Sequence, residues 1–537
     1  MTHVLWIRGE ALDHGVFNTS VRWTVPKVQD FLLSVRGAVA EQCVSQDTWV
    51  EVATTRTKPM LTEAEAAAYW HVFMVLQQSI CGQTDPHTLD VRVIGLLLMC
   101  QVFSPHRVRT DGFVKSGDMW PGLERAPAGA AVTSPRASPR GTSPRVGVSA
   151  QQSSVARGRD ASAAMLAFVR HNLLHFLQVA CPARFTEATK ISGEDFDLLG
   201  LFLGAGMSTS QPLPRLSDAI PELCERPLPM LEVKRVVDKI LVWNEEMYTS
   251  VEQSLGVQAS GVSVPQAVNV SGMSRTTWFQ RPANGDIDVL SITCCTECTI
   301  YVTGQTRFCF VAGCHDCTIV VAAVSGLCTL HNCEKISIHA AAHCFKMENS
   351  IDSSAFLYCH IPPILTGDTR GIKLAPFNVL YSQLGESLER AQMPLETDFV
   401  DVWAHPVCCT LGAPDENLGG GSGHIGDGNQ GNSTYHFVHP DNFQPVVVPE
   451  GGTSAARRAA QVSLCLPQVY DEALTKREEE MKAFQKLFSE ITDETKRKKA
   501  HQAIQGHFRE WLQSTGKSRQ LADLAKMAQQ QDGKDLR

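Results

Sequence analysis

The sequence has 537 residues, of which 43% are hydrophobic and 19% are charged, and its formal net charge is −8. A chain of this length has room for about two to four domains. The acidic balance argues against broad affinity for nucleic acid or anionic membranes. The longest apolar runs are far shorter than the roughly 20 residues that span a bilayer, so we expect neither nucleic-acid binding nor membrane insertion.

The first 126 residues show the apolar spacing of helices. Thr62 and Glu65 have the spacing of a capping box, in which each side chain hydrogen-bonds the backbone of the other residue. Asp85 followed by Pro86 predicts a second helix start, because proline fits the first turn of a helix. We therefore predict a mostly helical N-terminal region over residues 1–126.

Residues 127–160 contain three copies of Ser-Pro-Arg among many alanines and glycines. Such a composition buries too little apolar surface to fold, so we predict a disordered linker. Helical spacing returns over residues 161–250, where Ser192 and Asp195 predict another capped helix start. The N-terminal half is thus predicted to be two helical regions joined by the linker.

A repeat over residues 286–390 sets the predicted architecture of the middle of the chain. A Cys-x-x-Cys pair precedes Thr-Ile twice, nineteen residues apart, and a third, looser copy follows. The three pairs are Cys295 and Cys298, Cys314 and Cys317, and Cys333 and Ile336. Short β-rich repeats of fixed length are typical of a solenoid, in which each coil buries its apolar row against the next. We predict a right-handed parallel β-helix.

Two columns of side chains are predicted to stack along this solenoid. The first consists of Cys298, Cys317 and Ile336, which we expect to point inward. The second consists of Cys309, Cys328 and Cys344, which recur nearly in step on another side of the coil. Thiols suit a narrow interior because they act there as compact hydrophobic groups.

Zinc is the alternative reading of the cysteine repeat. Cys295, Cys298, Cys314 and Cys317 have the spacing of a four-thiolate site. The same frame continues at Ile336, however, where no metal ligand is available. Stacked core cysteines are therefore favoured over a metal site. The start of the sequence lacks a signal-peptide pattern, so we expect reduced thiols.

Two further regions follow the predicted β-helix. Residues 400–450 have the pattern of a β-rich extension, interrupted by a glycine-rich loop at 412–432. Residues 467–530 have the spacing of two amphipathic helices, which we predict to form a hairpin. The apolar rows are Phe484, Leu487, Phe488 and Ile491 on the first helix, and Ile504, Phe508, Trp511 and Leu512 on the second.

Two parts of the chain carry a family resemblance. The run from Gly371 to Phe377, with its apolar-x-apolar-Ala-Pro-Phe ending, resembles the last coils of the tubulin-binding cofactor C domain, which is related to the C-terminal domain of cyclase-associated proteins. The segments around Leu466 to Tyr470 and Glu510 to Leu512 are similar to the cofactor C domain-containing protein 1 family. The resemblance covers residues 290–525 and implies the β-helix fold.

The resemblance also indicates where a functional site would lie. GTPase activators of the family present an arginine in a motif of the form Gln-x-Leu-Arg-x-His, and such an arginine accelerates phosphoryl transfer by about 10³ to 10⁵. The matching stretch here runs from Glu334 through Lys335 to His339, with Ser337 at the arginine position. A hydroxyl does not replace a forked cation. We therefore assign no catalytic residue, cofactor or metal, and name Glu334, Lys335, Ser337 and His339 as a candidate binding face.

The predicted fold class is mixed, α plus β: a mostly helical N-terminal region, a central β-helix and a C-terminal helical hairpin. The resemblance implies a non-enzymatic adaptor in the cytoplasm and cytoskeleton, at centrosomes, basal bodies or spindle poles, with a role in organelle positioning. Its partners would be centrosomal, basal-body or other cytoskeletal proteins, or an Arf-like GTPase bound without activation. The alternatives are an activator of an Arf-like or tubulin GTPase, and a zinc-dependent protein.

Overall fold

The computed structural model describes most of the chain. The described residues are 3–19, 21–39, 42–82, 85–103, 149–181, 190–208, 211–242, 266–280, 286–410, 434–449, 464–515 and 517–532. Of the predicted linker, only residues from 149 onward are described, and there a helix has already begun. The predicted glycine-rich loop at 412–432 lies outside the described residues.

The part before the solenoid is mainly helical. Its helices are α1 (Glu10–Gly15), α2 (Val25–Ala38), α3 (Gln46–Thr55), α4 (Glu63–Cys81), α5 (Val91–Gln101), α6 (Ser149–Ala180), α7 (Gly193–Asp197), α8 (Pro221–Glu225) and α9 (Met230–Ile240). Its short strands are β1 (Val4–Ile7), β2 (Cys43–Ser45), β3 (Thr88–Asp90), β4 (Lys190–Ile191), β5 (Leu203–Ser208), β6 (Gln211–Pro212), β7 (Leu228–Pro229) and β8 (Leu241–Val242). None of these helices, nor any other in the described ranges, has the length and apolar character needed to cross a bilayer.

Two predicted helix starts are confirmed. At the start of α4 the Thr62 hydroxyl accepts from the Glu65 amide at 3.2 Å, and the Glu65 carboxylate accepts from the Thr62 amide at 3.0 Å. At the start of α7 the Ser192 hydroxyl accepts from the Asp195 amide at 3.2 Å. Each pair satisfies amides that have no partner inside the helix.

The helix start predicted at Asp85 is wrong. Asp85 instead organises a turn, in which its carboxylate accepts from the His87 amide at 2.9 Å. The chain then forms β3, which pairs antiparallel with β2. Helix α5 begins at Val91, where the Asp90 carboxylate accepts from the Arg92 amide at 2.7 Å. The capping residue is Asp90 rather than Asp85, because a strand intervenes.

The two helical stretches share one core. A four-stranded sheet in the order β6-β5-β1-β8 joins the start of the chain to the segment that precedes the solenoid. Leu5 of β1 and Leu203 of β5 are buried in the same apolar cluster as Phe73 and Phe176. We call this unit, residues 3–242, the helical domain.

The solenoid is built from parallel strands. They are β9 (Gln266–Ser271), β10 (Thr277–Gln280), β11 (Ile287–Thr293), β12 (Thr299–Ala312), β13 (Thr318–His331), β14 (Ser337–Glu348), β15 (Ser354–Cys359), β16 (Ile364–Gly367) and β17 (Ile372–Pro376). Parallel bridges link one corner of successive coils, at Ser274, Thr296, His315, Glu334, Ile351 and Arg370. This confirms the predicted parallel β-helix, whose first described coil begins at Gln266, ahead of the predicted boundary at 286.

Two later strands extend the same sheet, and two others form a separate two-stranded sheet. Strand β18 (Val379–Leu380) follows β17 and pairs with β21 (Val446–Val447). Strands β19 (Val407–Thr410) and β20 (Tyr435–Phe437) pair parallel with β16 and β17, respectively. Within the predicted β-rich extension, β19 and β20 thus continue the solenoid sheet, whereas β21 does not.

The helical domain covers one face of the solenoid. Phe308, Leu327, Cys344 and Ile364 point outward from successive coils into the core of the helical domain.

The predicted column of Cys309, Cys328 and Cys344 is therefore wrong at its third member. Cys309 pairs with Cys328, but the partner of Cys328 in the next coil is Phe345, and Cys344 pairs with Leu327. The reason is that β14 is shorter than β13, with 12 residues against 14. Residues 17 apart are therefore paired in this part of the two strands, whereas Cys328 and Cys344 are 16 apart. A displacement of one residue along a strand turns a side chain to the opposite face.

A buried lysine fixes the interface between the two domains. The Lys346 ammonium is fully buried and donates to the carbonyls of His14 at 2.7 Å and Val16 at 2.6 Å. It lies 3.6 Å from the Glu348 carboxylate and 4.6 Å from the centre of the Phe17 ring. Burial alone would raise the pKa of Glu348, but Lys346 and a hydrogen bond with His331 hold it below its ordinary value. The charged pair is thus compensated by hydrogen bonds from both domains.

The C-terminal region is helical, as predicted. After α10 (Leu384–Arg390) come α11 (Gln468–Ser489), α12 (Glu494–Ser514) and α13 (Ser518–Asp532). Tyr470 at the start of α11 packs on Trp403 and Phe443, with ring centroids 6.0 and 5.1 Å apart. The apolar rows of α11 and α12 are largely exposed.

We expect Lys346→Met to lower the free energy of unfolding by about 3–5 kcal/mol, because it leaves the Glu348 carboxylate buried without its partner. Chemical denaturation of the full chain measures this value. The matched control is Lys335→Met, which changes an exposed lysine and should cost less than about 0.5 kcal/mol. Equal stabilities of the two variants would show that the buried ammonium does not hold the domains together.

Candidate functional site

The candidate binding face lies at the start of β14, the first strand of its coil. Ser337 opens β14, and its amide donates to the Cys317 carbonyl of the preceding coil at 2.8 Å. It is in register with Thr318 of that coil and with Ser354 of the next. Ser337 is half-buried and lies outside the solenoid interior, as strand alternation requires.

A hydrogen-bond chain ties Ser337 to the residues that follow the solenoid. The hydroxyl lies 3.0 Å from His339 Nε2, and His339 Nδ1 lies 2.7 Å from Asn378 Oδ1. The Asn378 amide nitrogen donates to the Gln444 carbonyl at 2.6 Å, so its oxygen is the acceptor for histidine. The proton of neutral His339 therefore lies on Nδ1, and Nε2 accepts from Ser337.

His339 is buried and uncharged at neutral pH. Its ring stacks on Phe356 with centroids 4.4 Å apart. Burial lowers the pKa of His339 to about 4, against the raising effect of the Asn378 hydrogen bond and with a further lowering by the Lys517 ammonium. His339 was a candidate for an exposed binding face, and the structure instead makes it a structural residue, because later segments cover it.

Two segments cover this face of the solenoid: the residues that follow β17, and helix α13. Residues Phe377 to Leu388 pack an apolar cluster against Tyr301, Val320 and Ala341, which point outward from three coils. The Tyr301 hydroxyl accepts from the Gln520 side chain of α13 at 2.8 Å. The contacts of Asn378 and Gln520 could not be predicted, because neither residue belongs to the repeat that it contacts.

Glu334 and Lys335 form the accessible part of the candidate face. They lie at the corner before β14, where Lys335 adopts a left-handed backbone with a φ of 54°. The Lys335 side chain is 53% exposed, and its ammonium lies 3.3 Å from Glu334 Oε1. The same carboxylate lies 3.7 Å from His315 Nε2 of the preceding coil. The positive charge of Lys335 is thus already engaged by a neighbouring acid.

The first predicted column is brought together inside the solenoid. Cys298, Cys317 and Ile336 are each at most 2% exposed and belong to one apolar cluster. The Cys317 sulfur accepts from the Cys298 amide at 3.4 Å, and Ser353 has the same role in a later coil, accepting from the Ile336 amide at 3.1 Å. Side chains at these positions satisfy amides at the coil corner as well as filling space.

None of the eighteen cysteines forms a disulfide in the structure. Within the described ranges, no group of three or more histidine, cysteine, aspartate or glutamate side chains is placed to hold a metal ion. In the zinc reading, four thiolates would converge on one point, whereas Cys295 and Cys298 lie in separate positions of the coil, beside Cys314 and Cys317 respectively.

Comparison with known proteins identifies the solenoid. The family model of tubulin binding cofactor C matches residues 288–405, the stretch that contains most of β11, all of β12 to β18 and the covering helix α10. Residues 288–405 are therefore similar to the tubulin binding cofactor C domain. The candidate face at Glu334 to His339 lies near the centre of this matched stretch.

Curated relatives match over about a third of the chain. Proteins described as TBCC domain-containing protein 1 are 24% identical over 193 residues in Gallus gallus and 26% identical over 195 residues in Mus musculus. These matches cover 35% of this chain and 30% and 31% of the relatives, so the match spans less than a third of their length. Among solved structures, tubulin binding cofactor C from Leishmania major is 14% identical, with a TM-score of 0.14, over 25% of this chain and 87% of that chain.

We expect His339 to make the protein less stable in acid. Its pKa of about 4 in the fold lies below the ordinary 6.5, so the unfolded chain binds the extra proton first as the pH falls. This contribution is complete above pH 6.5 and is lost between pH 6.5 and about 4. The difference corresponds to about 3 kcal/mol at most.

Urea denaturation between pH 7.5 and 4.5 measures this effect against a His339→Gln variant, which cannot titrate there. Other histidines whose pKa is lowered, including His14 and His343, are present in both proteins, so the comparison cancels their contribution. The stability of the parent should fall more steeply with acidification than that of the variant. Parallel pH profiles would show that His339 keeps an ordinary pKa.

Proposed function

We propose that this chain is a non-enzymatic adaptor of the cytoskeleton, which acts in positioning and organising centrosomes, basal bodies or spindle poles. The relationship to tubulin binding cofactor C supports interactions with tubulin or other cytoskeletal proteins. The observation that carries the proposal is Ser337, which stands where activators of the family carry an arginine. In this proposal the protein is located in the cytoplasm, on the cytoskeleton.

The chemistry around Ser337 does not supply a replacement for that arginine. An arginine finger offers a delocalised cation with forked donors to the transferring phosphate. The Ser337 hydroxyl is committed to His339, and the low pKa of His339 leaves it neutral at pH 7. Lys335 is paired with Glu334 at the corner and carries a point charge. We therefore expect docking without catalysis.

The corner of the solenoid offers a suitable docking surface. The helical domain covers one face of the coils, and the segment after β17 covers another. The exposed corner carries both signs of charge along the coils: Arg275 with Glu297, then Lys335 with Glu334, then Arg370 with Asp368. Such a rigid, mixed-charge ridge favours recognition through complementary charges on a partner protein.

Stimulated GTP hydrolysis tests the proposal directly. With purified Arf-like GTPases or tubulin, we expect less than tenfold acceleration by the parent protein at micromolar concentration. A Ser337→Arg variant tests whether a GTPase docks here, and Thr318→Arg is the matched control because it places arginine one coil away in the same column. Acceleration by Ser337→Arg alone would support docking without activation by the natural chain.

A GTPase activator would give a different result in the same hydrolysis assay. More than tenfold acceleration by the parent, abolished by changing Lys335 or His339, would overturn the adaptor and establish a GTPase activator.

Proximity labelling in cells then identifies the neighbours of the parent chain. Enrichment of centrosomal or basal-body proteins supports the adaptor, and labelling without cytoskeletal proteins contradicts it.

A further inference from the structure

The helices α11 and α12 leave large apolar side chains in solvent. The exposed fractions are 53% for Phe484, 65% for Leu487, 51% for Phe508 and 43% for Trp511. On each helix these side chains follow helical spacing and form one row. Single exposed apolar residues are common on protein surfaces, but two continuous rows of aromatic and aliphatic groups mark an interaction surface.

The rows do not cover each other in the structure, and an antiparallel hairpin would not bring them together. Tyr470 at the start of α11 and Gln520 shortly after α12 both contact the solenoid, so the two helices run outward and back. In such a pair, residues equally far from the connection 490–493 face each other. Phe484 lies within two turns of this connection, whereas Phe508 lies in the far half of α12. The resulting mismatch is roughly 13 Å along the helix axis.

We propose that a second copy of this chain covers the two rows, so that the protein is a dimer held by α11 and α12. Three members of each row have the same internal spacing: residues 484, 487 and 488 on α11, and residues 508, 511 and 512 on α12. When α11 lies parallel to α12 of the second copy in the register that brings Phe484 to Phe508, Leu487 also meets Trp511 and Phe488 meets Leu512.

A two-fold axis perpendicular to the helices generates both contacts. Because α11 and α12 run in opposite directions, reversing the second copy places its α12 parallel to the first α11, and its α11 parallel to the first α12. Each apolar row then packs against a row of the other copy. No row is left exposed for a third copy, so the assembly closes as a dimer. Four helices surround the shared apolar core, an arrangement with the packing of a helical bundle.

Charges on the two helices favour the same register. In the alignment of Phe484 with Phe508, Lys486 of α11 lies beside Glu510 of the second copy, and Glu472 lies beside Lys496. Folding α12 onto α11 of the same chain would instead bring the basic run 496–499 near Lys486. Pairing with a second copy therefore brings opposite charges together, whereas pairing within the chain brings like charges together.

Light scattering coupled to size exclusion, with the purified full chain, measures the state directly. We expect a dimer at micromolar concentration. Leu487→Glu and Trp511→Glu should each raise the dissociation constant at least about 30-fold, the factor that corresponds to about 2 kcal/mol. Both residues are exposed in the single chain, so circular dichroism and the melting of the solenoid should stay unchanged. The matched control is Leu231→Glu on α9, which is 60% exposed and should leave the dimer intact.

A charge exchange tests the register. Lys486→Glu and Glu510→Lys should each weaken the dimer, and the double variant should restore it. Lys486 lies in the last turn of α11, next to the connection, and Glu510 lies near the far end of α12, so the two are too far apart to pair within one chain. A monomer at high micromolar concentration, a dimer unaffected by Leu487→Glu and Trp511→Glu, or no rescue by the double variant would each overturn the proposal.

Discussion

Parallel pairing in fixed register is the constraint on which the structure depends. Each coil must place its inward side chains directly over those of the coil before it, because backbone hydrogen bonds between parallel strands set their alignment. Cysteine, serine and valine fit this narrow interior. The same alignment decides which side chains face outward. It therefore brings Ser337 and His339 to one face and Lys346 to another, and each face receives its own cover from elsewhere in the chain.

The repeat made much of the solenoid predictable. Cys298, Cys317 and Ile336 recur at equivalent positions, and the spacing of the Thr-Ile strands that follow them is enough to indicate a parallel β-helix. Local capping patterns at Thr62 and Ser192 also indicate where helices begin.

Joining the two helical stretches into one domain was not predictable. The sheet that joins them pairs Leu5 with Ala205 and Leu241, and strands this short carry almost no pattern of their own. The site was predictable only in part. The family motif located Ser337, and strand alternation placed its side chain outside the interior, but the burial of His339 depends on Asn378, 39 residues away along the chain. Amphipathic spacing indicated an apolar face on α11, yet such spacing does not show what covers that face.

The shortened coil has a consequence for how this protein can change over evolution. Side-chain bonds at the corner join residues 19 apart at Cys298 and Cys317 but 17 apart at Ile336 and Ser353. The register between β13 and β14 shifts on either side of Ala342, so that Phe345 faces the interior and Lys346 faces outward to the carbonyls that receive it. A single-residue insertion or deletion between Ala342 and Lys346 would turn this lysine toward the apolar interior unless the register shifted again. The length of a coil can therefore vary by single residues only where such a shift in register keeps the outward side chains in place.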